Sequence, residues 1–521
     1  MGDVLAGFIA AKQGEADEAG HFLEMRFAFL PDLFELGFPA LGHLELVHRN
    51  KHHNHLSGYR FVWASLAAGA GGGVIAPVCV ESARIGVVEC RQWRDEYMTE
   101  GPLSGVKVLE FTQIIAGPFC CMLLSDMGAD VTKLEPIEGE PWRVFNELVP
   151  KESRTFASLN RGKKGMALDM QRPEAKEIIE QMIRETDVMV INYRPGVAEQ
   201  LGIDYETARS LNPQVVYCEN TAFGKKGPLA QRGGYDIVVQ ALTGLMAGEG
   251  KMNGDVPMAA YPAPIDYATG IQMANSINAA LFYRERTGKG QRIDSTLMGT
   301  ALAMQTSQFT WIDAFDDEVI PAMLEDLDRA RKEMRSFAEQ DEVRAQYRPK
   351  PPGNIYYRVY QTADGFIAIG ALSHSLRKRV LEVTGLNDPR YRDDGTFELA
   401  PEGWEEFAPK LVAEAEAMFR TKATSEWGEL FQLAGVPSGP LHFVEELFEH
   451  PQACDNGLVT EVEHEILGHM RMVAPPFQMS ESPLAAQGAS PVLGRDNDAV
   501  LAALGYDGGH IEDLRLSGVI L

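Results

Sequence analysis

Positive charge is what the chain has least of. Its 521 residues carry 48 lysines and arginines against 74 aspartates and glutamates, a formal net charge of −26. Such a surface repels phosphate backbones and excludes nucleic acid as a main partner, although a locally basic, amide-lined pocket can still hold a polyanionic cofactor. Cysteine is also scarce, with six residues and no CxxC pair. That excludes a zinc knuckle and a disulfide framework, and no metal site is expected. The opening Met1–Lys12 lacks a basic region and a cleavage pattern, so the expected compartment is the cytoplasm. One long run, Phe61–Val80, is free of charge, but it is glycine-rich and contains Pro77. Its helix propensity is poor, and no membrane span is expected. Walker, HExxH and GxSxG motifs are missing, as is a GxGxxG between a strand and a helix. The histidine-rich Val47–His55 reads as a polar loop. Gly69–Gly73 lacks the lysine and the following helix that a phosphate cradle needs.

What is present begins near residue 98. Val106–Phe111 reads as a buried strand, Ala116–Met127 as the helix after it, and Asp130–Glu135 as a half-buried strand. Pro173–Arg184 is an amphipathic helix with Ile178, Ile179, Met182 and Ile183 on one face. Asp187–Tyr193 and Gln214–Glu219 are strands rich in β-branched residues. Strands separated by helices imply parallel βαβ units, hence an α/β, Rossmann-like doubly wound large domain over 98–315. The charge-dense Asp316–Tyr347 reads as a solvated helical insertion. Tyr356–Ala371 reads as a hairpin turning at Thr362–Gly365. Residues 316–435 thus form the insertion and a smaller α+β domain, and 436–521 are a C-terminal segment expected to return to the large domain. Residues 1–97 show neither alternation nor amphipathic period. They are expected to be poorly ordered or an over-extended start, with Met98 as the initiator.

Several ordered motifs carry a resemblance. They include Leu103–Pro118, Leu124–Glu135, Asn160-Arg-Gly-Lys-Lys164, Leu168-Asp169 and Asn192-Tyr-Arg-Pro-Gly196. Further along come Leu211-Asn-Pro213, Phe223-Gly224, Gly234-Tyr-Asp236, Ile265-Asp-Tyr-Ala-Thr-Gly270 and Arg286–Gln291. Together, over residues 98–521, the chain resembles the class III CoA-transferases (the CaiB/BaiF type), whose relatives include the α-methylacyl-CoA racemases. The resemblance implies an acyl-CoA and a carboxylic acid as substrates, with coenzyme A as carrier and no tightly bound cofactor. It also implies a ring-like chain that interlocks with a second copy as a homodimer. Ile115, Ala116, Leu168, Asp169, Asn192, Tyr193, Arg194 and Gly234 would form the CoA site, with the Tyr193 ring against adenine. On its own physics, Ile115-Ala-Gly-Pro118 is a strand-to-helix turn whose helix N-terminus favours an anion. Asn160–Lys164 reads either as a solvated loop or as an attractor of CoA phosphates.

Asp266 carries the chemistry that the resemblance implies. A carboxylate attacking a thioester gives a mixed anhydride and a thiolate, both activated enough for reversal. By spacing alone, Asp266 reads first as the cap of a helix starting near Tyr267, and only the resemblance reverses that order. Racemases of this type carry a histidine where Tyr235 stands, and no histidine occurs between His55 and His374. Tyrosine titrates too high for a neutral-pH base and suits oxyanion stabilisation instead, which favours transfer over racemisation. Arg348–Asn354 replaces the glycine-rich loop of formyl-CoA transferases. Ile115 stands where they carry glutamine, and Pro136 where several relatives place a phosphate-binding arginine. These departures point to a larger, less polar acyl group.

Overall fold

The computed structural model describes residues 101–348, 353–392 and 396–521, together with four strand segments nearer the N-terminus. Those four, β1 (His21–Phe29), β2 (Gly42–Asn50), β3 (Leu56–Ala64) and β4 (Ala76–Cys79), pair in sequence order as an antiparallel sheet. They belong to a compact unit over 1–91, separate from the unit over 92–521. Of the histidine patch, Val47–Asn50 belongs to β2 and is not a loop, whereas Lys51–His55, Gly69–Gly73, the expected initiator Met98 and Pro349–Pro352 lie outside the described residues.

The second unit is built on six parallel strands. β5 (Lys107–Phe111) leads through helix α1 (Ala116–Asp126) to β6 (Asp130–Glu135) and then β7 (Lys164–Ala167). Helix α2 (Pro173–Glu185) precedes β8 (Val188–Ile191) and β9 (Val216–Thr221). Helices α3 (Asp236–Leu242) and α4 (Pro264–Thr287) come before β10 (Gln291–Thr296). The spatial order is β10-β9-β8-β5-β6-β7, with every pair parallel. The chain therefore winds outward from β5 in one direction and, from β8, in the other. Alternate residues feed opposite faces. Val108, Val131, Val190 and Cys218 pack under α1 and α4, whereas Leu109, Leu134, Met189 and Tyr217 pack under α2. Both faces of the sheet are covered, as parallel strands require.

After the sheet come α5 (Val319–Lys332) and α6 (Phe337–Tyr347), which share a small core of Leu327, Ala330 and Val343. The smaller α+β region has its own core. There β11 (Tyr357–Gln361), β12 (Phe366–Gly370) and β13 (Ser438–Pro440) form an antiparallel sheet under α7 (His374–Thr384), α8 (Trp404–Phe419) and α9 (Thr424–Ala434). The hairpin β14 (Val459–His464) and β15 (Gly468–Val473) follows. The closing helices α10 (Asn497–Ala503) and α11 (Gly508–Leu516) place Leu501 and Ile511 in the large-sheet core beside Val519 and Ile520. Among the described residues, no helix is long and apolar enough to cross a membrane.

Two expectations need correction. β6 is not half-buried, since Lys133 and Glu135 are as sequestered as their apolar neighbours. Asn160–Lys164 is neither solvated nor free for phosphate. Arg161 is fully buried against Asp126, and Lys163 bonds Glu110 at 2.8 Å. Burial also lowers the proton affinity of Lys163, with Glu110 pulling the other way. Of its charged residues only Lys164 reaches solvent, where it pairs with Asp130.

Candidate active site

Strands β5 and β8 are neighbours whose connections run in opposite directions, and open α/β sheets bind ligands at the carboxyl ends of such a pair. A cavity of about 280 Å³ lies there. It is lined from β5 by Gln113–Ala116, from β8 by Asn192–Pro195, from β9 by Asn220–Ala222, and by Arg232–Tyr235, Val238, Leu297 and Asp266. Eight of the residues expected from the sequence meet in this one space: Ile115, Ala116, Asn192, Tyr193, Arg194, Gly234, Tyr235 and Asp266. Leu168 and Asp169 do not. Leu168 is fully buried in the core, and the Asp169 N–H donates to the carbonyl of Val519.

The loop from β5 is held from behind. Lys133 donates to the Thr112 carbonyl at 2.8 Å and pairs with Glu110 and Glu140. Glu140 in turn accepts the Ile114 N–H at 2.7 Å. Ile114 has a φ of 74°, a region that a β-branched residue enters only under constraint. Asn192 clamps the same loop from β8. Its carboxamide accepts the Gln113 N–H at 2.9 Å and donates to the Gln113 carbonyl at 2.8 Å, imitating one rung of a ladder across the switch point. Tyr193 is half-buried on the core side, and burial, with Glu140 and Glu135 nearby, pushes its hydroxyl well above the usual range. Arg194 and Arg232 are exposed at the cavity and make no ion pair with a described residue. In a chain so rich in acids, two uncommitted arginines make a place for an anion.

Asp266 lies in the first turn of α4. Pro264 opens that helix after Ala263, and Gly288 ends it in the left-handed region, an arrangement of cap residues with a plain steric basis. The capping role considered for Asp266 belongs to Asp236. Its Oδ2 accepts the N–H groups of Ile265 and Asp266 at 2.8 and 3.0 Å, while its Oδ1 is bonded by Gln240. The Asp266 carboxylate is left at 8% exposure, facing the cavity without a hydrogen bond from any described residue. Burial, and then the charge of Asp236, pushes it up to about 7. Asp236 sits inside the Gly-Tyr-Asp motif, so its position was visible in the sequence although its work was not. Two glycines of the motifs have steric reasons. A Cβ on Gly270 would come within 2.8 Å of the Ala116 carbonyl, where α4 crosses α1, and one on Gly234 within 2.8 Å of Ala222.

A doubly wound parallel sheet with a cavity at its switch point and one unpaired buried carboxylate defines a ligand-binding α/β enzyme. Residues 103–497 match the family model "CoA-transferase family III". Succinyl-CoA:glutarate CoA-transferase of Homo sapiens is 33% identical over 426 residues, covering 80% of this chain and 90% of the relative. Formyl-CoA:oxalate CoA-transferase of Streptomyces coelicolor is 29% identical over 442 residues, covering 81% of this chain and 100% of the relative. Among solved structures, a CaiB/BaiF family protein from Brucella suis superposes with a TM-score of 0.60 at 27% identity, over 78% of this chain and 100% of that one. The chain belongs to CoA-transferase family III. It is an acyl-CoA:carboxylate CoA-transferase.

Proposed function

We propose that this enzyme moves CoA from an acyl-CoA to a carboxylic acid through covalent intermediates on Asp266. The observation that carries the reading is the Asp266 carboxylate itself, buried at the cavity with no hydrogen bond from any described residue. In the first half-reaction an Asp266 oxygen adds to the thioester carbonyl carbon, and collapse breaks the C–S bond. CoA leaves as thiolate and a mixed anhydride remains. The thiolate then adds to the Asp266 carbonyl carbon, expelling the donor acid as its carboxylate and leaving an aspartyl-CoA thioester. The acceptor acid reverses both steps. Tyr235, which follows Gly234 at the cavity and is half exposed, donates a hydrogen bond to the developing oxyanion. A tyrosine in place of a histidine argues against proton exchange at the α-carbon.

For substrates we favour dicarboxylic acids and their CoA thioesters. The relatives named above act on succinyl-CoA and glutarate, and on formyl-CoA and oxalate, and the uncommitted Arg232 suits a second carboxylate. A polar lining of this kind counts against the larger, less polar acyl group. Ile115, Ala116, Asn192, Tyr193, Arg194 and Gly234 are the CoA contacts we assign at the cavity, and Leu168 and Asp169 remain assigned only through their motif. The working enzyme is a homodimer. The test is exchange between succinyl-CoA and glutarate. Asp266→Ala should lose at least ~10³ in turnover while still binding CoA, and intact-mass spectrometry of the wild type should show a CoA adduct on Asp266. An active Asp266→Ala variant would sink the mechanism.

A further inference from the structure

Asn220 lies at the carboxyl end of β9, on the sheet face that also carries Val216 and Cys218. It is 5% exposed and lines the cavity with Asp266. Its carboxamide makes no hydrogen bond with any described residue, and its Oδ1 is sealed from solvent. Ser295, its register partner on β10, has a buried hydroxyl that is also unpaired. A third unpaired buried group is the hydroxyl of Thr269, one turn along α4 from Asp266. Each such group costs about 1–3 kcal/mol when left unmatched, and native folds keep few of them. Of the three, Asn220 lines the cavity with Asp266, so a molecule bound there can complete its carboxamide.

The reaction supplies a group with that need. When an Asp266 oxygen bonds to the thioester carbon, the carbonyl π pair moves onto the acyl oxygen. That oxyanion persists until the C–S bond breaks and the thiolate leaves. We infer that Asn220 is the buried donor of this oxyanion site, its Nδ2 donating to the acyl oxygen, with the Ser295 hydroxyl available to hold Oδ1. Tyr235 approaches from the open side and Asn220 from the floor. The inference rests on Asp266 as nucleophile. It also accounts for a carboxamide at the end of a strand whose preceding same-face positions are apolar.

The experiment is rapid-quench mass spectrometry of the Asp266 adduct formed from succinyl-CoA, in wild type, Asn220→Ala and Asn220→Asp. CoA affinity and thermal midpoint are measured alongside. Asn220→Ala should slow adduct formation about 10²–10³-fold, with CoA affinity unchanged and the midpoint equal or higher, because an unmatched polar group is gone. Asn220→Asp keeps the shape but replaces the donor with a charge that repels the oxyanion, so it should lose at least as much. Wild-type adduct rates in Asn220→Ala would overturn the inference and leave the Asp266 mechanism standing. If Asn220→Ala is poorly folded, Asn220→Asp decides, and wild-type rates there overturn it equally. No adduct on wild-type Asp266 would overturn both.

Discussion

At the scale of single residues, Asp266 is held where burial and a neighbouring charge oppose its ionisation. Its carboxyl sits up to about 7 through burial first and Asp236 second. Only the ionised form attacks, so kcat/KM should fall about tenfold per pH unit below that midpoint and level off above it. Asp236→Asn removes the like charge, and the acid limb should then move to lower pH. A pH–rate profile of both proteins checks this, and an unmoved limb would show that Asp236 acts only as a helix cap. The sequence announced Asp266, Tyr235 and the turn at Ile115 because motif residues of unusual type stood at strand and helix ends. It concealed Asn220, although a carboxamide two residues past the apolar run Val215–Cys218 was a usable signal. It also concealed the buried charges. Lys133 and Glu135 alternate along β6 as a solvated face would, and only their partners Glu110, Glu140 and Arg143 reveal the opposite.

At the scale of elements, the contact between α1 and α4 sets where Asp266 stands. Gly270 lies one turn beyond Asp266, against the backbone of α1, so an added methyl group has no flexible side chain to displace. Gly270→Ala should therefore push the helices apart, costing about 1–3 kcal/mol of stability. Turnover should drop by up to ~10² through misplacement of the nucleophile. Circular dichroism melts with steady-state kinetics test this, and unchanged values for both would mean the helices yield freely. Most of the elements were legible because their periods are strong. α2 shows its four apolar residues on one face, and the hairpin β11–β12 turns at Thr362–Gly365 as read. The edge strands were not legible. β7 is Lys-Gly-Met-Ala and β10 is Gln-Arg-Ile-Asp-Ser-Thr, and an edge tolerates short or polar sequences that a central strand does not.

At the scale of the whole molecule, large apolar side chains remain in water. Tyr261 is 90% exposed, Phe315 75% and Phe443 79%. Sedimentation equilibrium at micromolar concentration should give twice the chain mass, and a monomer with full activity would refute the dimer. Another consequence follows from the closing helices. The large sheet has its last strand by Thr296, but the core on the face carrying Leu109, Met189 and Tyr217, begun by α2, is completed only when Leu501, Ile511 and Ile520 arrive. During synthesis the smaller region leaves the ribosome complete before the catalytic domain can be, reversing the usual order in which N-terminal domains finish first. Until the closing helices emerge, the nascent enzyme leaves part of that apolar face uncovered and depends on whatever shields it.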